Sequence, residues 1–183
     1  ILPNVCLFTD DELGLLHEAQ SKFRLHLSEM TDIEYRKEME RLGIDLSWKS
    51  SQIEGNTYSL LETERLLKEK QTANGKTKEE AVMLLNHKDA LDFILDVPDY
   101  LKEISLSRIE EIHALLVKEL GVERHIRHRR VGITGTNYQP LDNEFQIREA
   151  LEDSCQLING KSEVFEKALL ALVLLSYIQA FTG

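Results

Sequence analysis

Hydrophobic residues recur every three or four positions over most of this chain, which is the spacing of one face of an α-helix. Thr31 and Thr77 are each followed three residues later by a glutamate, the arrangement of a capping box at a helix start. Glycine, asparagine and proline residues mark the C-terminal ends of most of the predicted helices. The predicted helices cover residues 10–30, 31–54, 59–70, 77–97, 105 or 107 to 120, 143–158 and 164–181.

One stretch departs from the helical spacing, the 130–141 segment (RVGITGTNYQPL). It places β-branched residues around a Gly-Thr-Asn turn, which is typical of a short β-hairpin or an ordered loop. The predicted fold is therefore mainly α, a single domain with one small β-hairpin. The exposed edge of a hairpin can bind an extended peptide through main-chain hydrogen bonds. A plain connector between helices is the alternative.

The last predicted helix, 164–181, is the most apolar part of the sequence, and the chain stops just after it at Gly183. Such a helix needs packing partners on nearly every side. The sequence also begins with Ile1 rather than Met. We therefore expect a piece of a longer protein, truncated on its C-terminal side. The apolar run from Ala168 to Leu175 is too short for a membrane span, which needs about 20 residues, so no membrane partner is expected.

Composition narrows the class of protein. Hydrophobic residues make up 42% of the chain and charged residues 30%, which fits a soluble globular protein. A net charge of −10 argues against a nucleic-acid partner. No secretory signal is recognisable, and Cys6 and Cys155 are interpreted as reduced thiols, so a cytoplasmic location is expected. No His-x3-His or paired-carboxylate spacing predicts a metal site.

Two segments could carry chemistry. The second helix ends in Glu54-Gly55-Asn56, where the glycine suits the left-handed position after a helix. A carboxylate is disfavoured at this negative end of the helix dipole. Glu54 either has a cationic partner elsewhere or is a solvated residue before a glycine stop. The second segment, 124–130, holds four Arg and two His. It could bind phosphate or neutralise nearby acidic helices.

Three segments together resemble the Fic family of protein adenylyltransferases, in the order in which that family has them. Ser50-x-x-x-Glu54-Gly55-Asn56 is similar to the family's inhibitory-helix pattern, in the subgroup whose inhibitor precedes the catalytic core. Residues 129–140 resemble the stretch that leads into the target-binding flap. Residues 177–181 (YIQAF) fall where the family has His-x-Phe-x-[Asp/Glu]-Gly-Asn-Gly-Arg. The flap residues in this comparison are Thr134, Gly135, Thr136, Asn137 and Tyr138.

The resemblance implies a Fic-type helical bundle that transfers AMP from ATP to a hydroxyl group of a target protein. It divides the chain into an N-terminal helical region (1–45), an inhibitory-helix segment (46–58) and the N-terminal part of a Fic core (59–183). It also implies a histidine base, Mg²⁺ held by the acidic residue, and a protein target held by the flap. Glu54 would inhibit by pairing with a later arginine of the signature. A homo-oligomeric state is left open.

The departures from the signature bear on activity. Gln179 stands at the position of the family's histidine, and a neutral amide has no useful basicity near pH 7. Gly183 stands where the acidic residue is expected, and no Gly-Asn-Gly-Arg follows it in this sequence. We therefore expect this chain not to transfer AMP by the family mechanism. The alternative is a non-catalytic module that binds an extended protein segment through the flap.

Overall fold

The structure, a computed structural model, describes residues 5–132 and 135–182. These residues form seven α-helices, as the hydrophobic spacing predicts. The helices are α1 (Asp10–Glu29), α2 (Asp32–Ile53), α3 (Leu60–Glu69), α4 (Lys78–Asp96), α5 (Leu106–Leu116), α6 (Glu144–Gly160) and α7 (Val164–Ile178).

The predicted helix starts agree closely with the structure because the caps are local. Thr31, Ser59 and Thr77 each form a capping box, in which two backbone N–H groups at the helix start gain side-chain acceptors. α5 begins at Leu106, and the Arg108 N–H donates to Ser105 Oγ over 3.4 Å, so Ser105 rather than Ser107 precedes the helix.

The predicted β-hairpin is wrong for the part of the 130–141 segment that the structure describes, since none of those residues lies in a strand. Ile133 and Thr134 lie outside the described residues. Gly135 has a φ of +83°, which an extended strand does not adopt. The N–H of Tyr138 donates to Thr136 Oγ1 over 3.1 Å, a local turn contact. Pro140 has no N–H to donate to a strand ladder.

The chain divides into two compact units. The α2–α4 unit consists of residues 30–102 and 111–124, and the α6–α7 unit consists of the described residues up to 29, 103–110 and those from 125 to 182.

In the α2–α4 unit, α2 packs against α3 and α4. Its core is formed by Tyr58, Leu66, Ala81 and Leu84, all almost fully buried. The Trp48 indole N–H donates to the Tyr58 carbonyl over 2.9 Å. This contact fixes the turn after α2 against the helix itself.

In the α6–α7 unit, α6 packs against α7. Its core consists of Ile126, Ile147, Leu151, Ile178 and Ala180. Much of the apolar surface of α7 is exposed, including Leu172, Val173 and Tyr177. No helix in the described ranges is long and apolar enough to cross a membrane.

Candidate functional site

α7 ends at the position that the resemblance assigns to the catalytic histidine. Gln179 is the C-cap of α7 and has the left-handed values φ 50° and ψ 54°. Its backbone N–H donates to the Leu175 carbonyl over 3.2 Å, and its side-chain Nε2 donates to the Ser176 carbonyl over 2.6 Å. A residue other than glycine held in this region is strained and needs surrounding contacts to keep it there.

Those contacts come from Arg127, whose side chain is fully buried. Its Nε donates to the Gln179 carbonyl over 2.5 Å, Nη1 to the Arg129 carbonyl over 2.9 Å, and Nη2 to the Leu141 carbonyl over 2.5 Å. The Arg127 backbone N–H also donates to the Ala180 carbonyl over 3.0 Å. Burial lowers the pKa of the Arg127 guanidinium, which still keeps its charge at neutral pH. One buried cation therefore holds the end of α7 to the end of the 130–141 segment.

Tyr138 makes a second connection between the same two elements. Its hydroxyl donates to the Tyr177 carbonyl over 2.9 Å, and the two rings lie 4.4 Å apart with 33° between their planes. Burial is the largest cause of the raised pKa of the Tyr138 phenol. The structure thus brings Tyr138 and Gln179 to one end of α7. The three residues that precede Tyr138, namely Gly135, Thr136 and Asn137, are exposed. Thr134 is outside the described residues.

The basic 124–130 segment is largely occupied by protein groups. The guanidinium donors of Arg127 are used by carbonyl oxygens, as described above. Three other members lie against carboxylates of the same unit, which favours neutralisation of acidic neighbours over an open phosphate site. These pairs are His125–Glu110 at 3.6 Å, His128–Glu144 at 3.0 Å and Arg130–Asp142 at 2.6 Å.

In the α2–α4 unit, Glu54 is the C-cap of α2, and the helix ends in a complete Schellman motif. The N–H of Asn56 donates to the Ser51 carbonyl over 2.9 Å, and the N–H of Gly55 donates to the Gln52 carbonyl over 3.1 Å. Gly55 has a φ of +86°, which glycine adopts without strain. The Glu54 side chain is exposed, and within residues 5–132 and 135–182 it makes no hydrogen bond or ion pair.

The backbone after Glu54 is held firmly. Asn56 is buried and donates from Nδ2 to the Glu80 carbonyl over 2.8 Å. Glu80 Oε1 accepts from the Thr57 N–H and hydroxyl over 2.8 and 2.6 Å. The Thr57 hydroxyl is the largest of several hydrogen-bond donors that lower the pKa of Glu80 to about 2. Glu54 therefore projects from a rigid helix end, while Ser50, one turn earlier, is half-buried.

The implied Mg²⁺ finds no site among these residues. Within the described part of the chain, no group of three or more His, Cys, Asp or Glu side chains is placed to hold a metal ion. Gly183, at the position of the family's acidic residue, lies outside that part.

The sequence did not predict that Arg127 and Tyr177 belong to the site. A basic run in a polar stretch is normally solvated, so the burial of Arg127 carried no local signal. Tyr177 contributes its carbonyl oxygen and its ring, whereas the resemblance includes it only as one residue of the YIQAF stretch.

No family model and no curated protein sequence matches this chain. Two solved structures share its fold. A segment of Fic-1 from C. elegans is 23% identical with a TM-score of 0.76, covering 93% of this chain and 51% of that one. A Fic family protein from Desulfovibrio desulfuricans is 16% identical with a TM-score of 0.75, covering 97% of this chain and 54% of that one. This chain thus spans about half the length of each, and it has the fold of Fic family proteins.

Proposed function

We propose that the protein is a Fic-type adenylyltransferase in which Glu54 restrains transfer of AMP from ATP to a hydroxyl group of a target protein. The fold and the ordered motifs support this proposal. The observation that carries it is the connection of the 130–141 segment to the end of α7: Tyr138 bonds to Tyr177, and Arg127 bonds to both Leu141 and Gln179, the residue that the resemblance aligns with the base.

The exposed part of this segment, Gly135 to Asn137, would be the part that contacts a bound target. Its contacts with an extended peptide would be hydrogen bonds to main-chain groups of the turn. Tyr138 fixes the end of the segment, so a bound target would be positioned relative to α7 rather than on a free loop. Positioning of this kind lowers the entropic part of a reaction barrier.

Gln179 sets the limit on activity. The amide cannot accept a proton near neutral pH, and its Nε2 already donates to the Ser176 carbonyl. Loss of a general base typically costs about 10²–10⁴-fold in rate. We therefore expect very slow transfer at most. ATP would supply the AMP group, and the described residues provide no Mg²⁺ ligand set, so no step is assigned to that ion.

Glu54 is the proposed inhibitory group. Its carboxylate is exposed, is presented by a rigid helix end, and has no partner within the described ranges. An arginine of the signature beyond this chain would supply the missing cation, and the pair would compete with productive placement of the ATP phosphates.

A second candidate function follows from Gln179 itself. A protein that keeps the fold but not the base can act as a non-catalytic module that binds an extended protein segment. In that case, Arg127 and Tyr138 would serve only to shape the binding surface.

Incubation of the complete protein with ATP labelled in the α-phosphate distinguishes the adenylyltransferase from the binding module, because only the former transfers the label to protein. Gln179→His introduces the missing base, so transfer should rise by about 10²-fold or more over the natural protein. Gln156→His, at an exposed position of α6, is the matched control and should change nothing. Absence of transfer from all three forms would contradict the enzyme proposal and favour the binding module.

A further inference from the structure

Arg129 differs from the other basic residues of the 124–130 segment that belong to the α6–α7 unit. Its side chain is exposed and makes no hydrogen bond or ion pair with any residue in the ranges 5–132 and 135–182. The residues on either side of it are occupied, since His128 lies 3.0 Å from Glu144 and Arg130 lies 2.6 Å from Asp142. The Arg129 guanidinium is therefore available to a group from outside this part of the chain.

The backbone of Arg129 is fixed at the base of the 130–141 segment. Its carbonyl oxygen accepts from Arg127 Nη1 over 2.9 Å, and Nη2 of the same guanidinium donates to the Leu141 carbonyl over 2.5 Å. Because one planar group reaches both oxygens, Arg129 and Leu141 lie next to each other where the two ends of the segment meet. A cation on a fixed backbone loses less conformational entropy when it binds a partner.

The charge around Arg129 differs in sign from that of the whole chain, which has a net charge of −10. The carboxylates of this region, Asp142 and Glu144, are each paired with a basic side chain other than Arg129. An exposed guanidinium that no carboxylate neutralises is suited to bind one, since its donors match the two oxygens of a carboxylate.

Two apolar side chains are exposed in the same region. Leu141 is 36% exposed, and Phe145, in the first turn of α6, is 79% exposed. Leu141 lies next to Arg129, and Phe145 directly follows Glu144, the partner of His128. Arginine and aromatic side chains are enriched in the interfaces between proteins. We call Arg129, Leu141 and Phe145 the segment-base surface.

We propose that the segment-base surface selects the target. The bound protein segment carries an aspartate or glutamate that pairs with Arg129 and a large apolar residue that covers Phe145. This selection rests on the proposed function, in the part that the enzyme and the binding module share: the 130–141 segment holds an extended protein segment. It adds the chemical class of that segment, which is acidic and partly apolar.

Fluorescence anisotropy with the complete protein, in the absence of nucleotide, tests the charge selection. The acidic probe is a labelled peptide that has a central Ser, Asp on both sides of it so that either chain direction is covered, and Leu near each end. In the neutral probe Asn replaces Asp, and in the basic probe Lys replaces it. We expect the acidic probe to bind about tenfold more tightly than the neutral one, because its pair with Arg129 is charge-assisted. Arg129→Met should remove this preference, and Arg129→Glu should transfer it to the basic probe.

Arg124→Glu is the matched control. It changes the net charge as Arg129→Glu does, at an exposed position of the same basic segment that belongs to the α2–α4 unit. The control should leave the preference for the acidic probe unchanged, and far-UV circular dichroism checks that each variant is folded. No preference in the natural protein, or equal loss of it in Arg124→Glu and Arg129→Glu, would overturn the proposal. An Arg129→Met variant that binds ATP more weakly but keeps the peptide preference would also overturn it, because Arg129 would then serve the nucleotide.

Phe145→Ser tests the apolar contact. It should weaken binding of the acidic probe, and this effect should disappear when Gly replaces the Leu residues of the probe. Phe23→Ser, at a 53% exposed position of α1 in the same unit, is the matched control and should bind as the natural protein does. Equal affinity of the natural protein for the Leu and Gly probes would overturn the apolar part of the proposal.

The binding measurements are separate from AMP transfer because nucleotide is absent. A protein that selects the acidic probe but transfers no AMP would support target selection and contradict the adenylyltransferase alone. A protein that transfers AMP but binds the three probes equally would overturn target selection alone.

Discussion

At the scale of single residues, Arg127 does the most to hold the candidate site together. It is fully buried, and its guanidinium is satisfied by three backbone carbonyls rather than by a carboxylate. Only a planar group with several fixed donors can reach all three acceptors at once. Its loss would remove a donor from each of the three carbonyls and leave a cavity where the fully buried side chain lies.

We predict that Arg127→Met lowers the free energy of unfolding by about 3 kcal/mol, because three carbonyls lose the charged donor that the buried side chain provides. Arg127→Lys should recover part of this, since an ammonium can serve one or two of them. Urea denaturation followed by circular dichroism measures the effect. Arg129→Met, at an exposed position, should stay within about 0.5 kcal/mol of the natural protein. Equal stability of Arg127→Met and Arg129→Met would contradict the structure.

A second prediction at the residue scale concerns Glu80 and the dependence of stability on pH. Its pKa is lowered to about 2, chiefly by donors from Thr57 and Thr77. A carboxyl whose pKa is lower in the folded state stabilises the protein above its unfolded value near 4.5, and this contribution is lost as pH falls towards 2. Because the group is partly solvated, we expect a loss of about 1 kcal/mol over that range. Glu80→Gln should flatten this part of the stability–pH profile, and Glu79→Gln should not.

At the scale of secondary-structure elements, the end of α2 shows how a short sequence sets the position of the Glu54 side chain. Gly55 adopts a φ of +86°, closes the Schellman motif and leaves Glu54 at the exposed helix end. The following residues, Asn56 and Thr57, then bind α4 through Glu80. The carboxylate is positioned by backbone geometry rather than by contacts of its own.

Replacement by alanine should have opposite effects on the free energy of unfolding at two glycines. Gly55→Ala should cost about 1 kcal/mol, because alanine is strained at a positive φ. Gly14→Ala, in the interior of α1, should stabilise by about 0.5–1 kcal/mol, since an added Cβ there meets nothing within 4 Å. Thermal unfolding of both variants checks the signs. Stabilisation by Gly55→Ala would show that the helix does not end as described.

Elements whose signals are local could be predicted from the sequence, and the others could not. The capping boxes at Thr31 and Thr77 fixed helix starts, and Gly55 marked the end of α2. The hairpin prediction for the 130–141 segment is wrong in the described part because distant groups decide its hydrogen bonding. Arg127 and Tyr138 join that segment to the end of α7. Tyr138, for example, bonds to Tyr177, which lies 39 residues later in the sequence.

At the scale of the whole molecule, the chain has the fold of Fic family proteins over about half the length of the solved relatives. In the proposed function, the α6–α7 unit would contain the target-binding segment and Gln179, and the α2–α4 unit would contain the inhibitory Glu54. The central claim is that the Glu54 carboxylate restrains AMP transfer.

The most direct test measures initial rates of AMP transfer by the complete protein in a Gln179→His background, with and without Glu54→Gln. Removing the charge should raise the rate at least about tenfold, since a charge-assisted pair with arginine is worth about 1.5–3 kcal/mol. Glu69→Gln, an exposed glutamate at the end of α3, is the matched control and should leave the rate unchanged. Equal rates with and without the Glu54 carboxylate, in a protein that does transfer AMP, would contradict inhibition by Glu54.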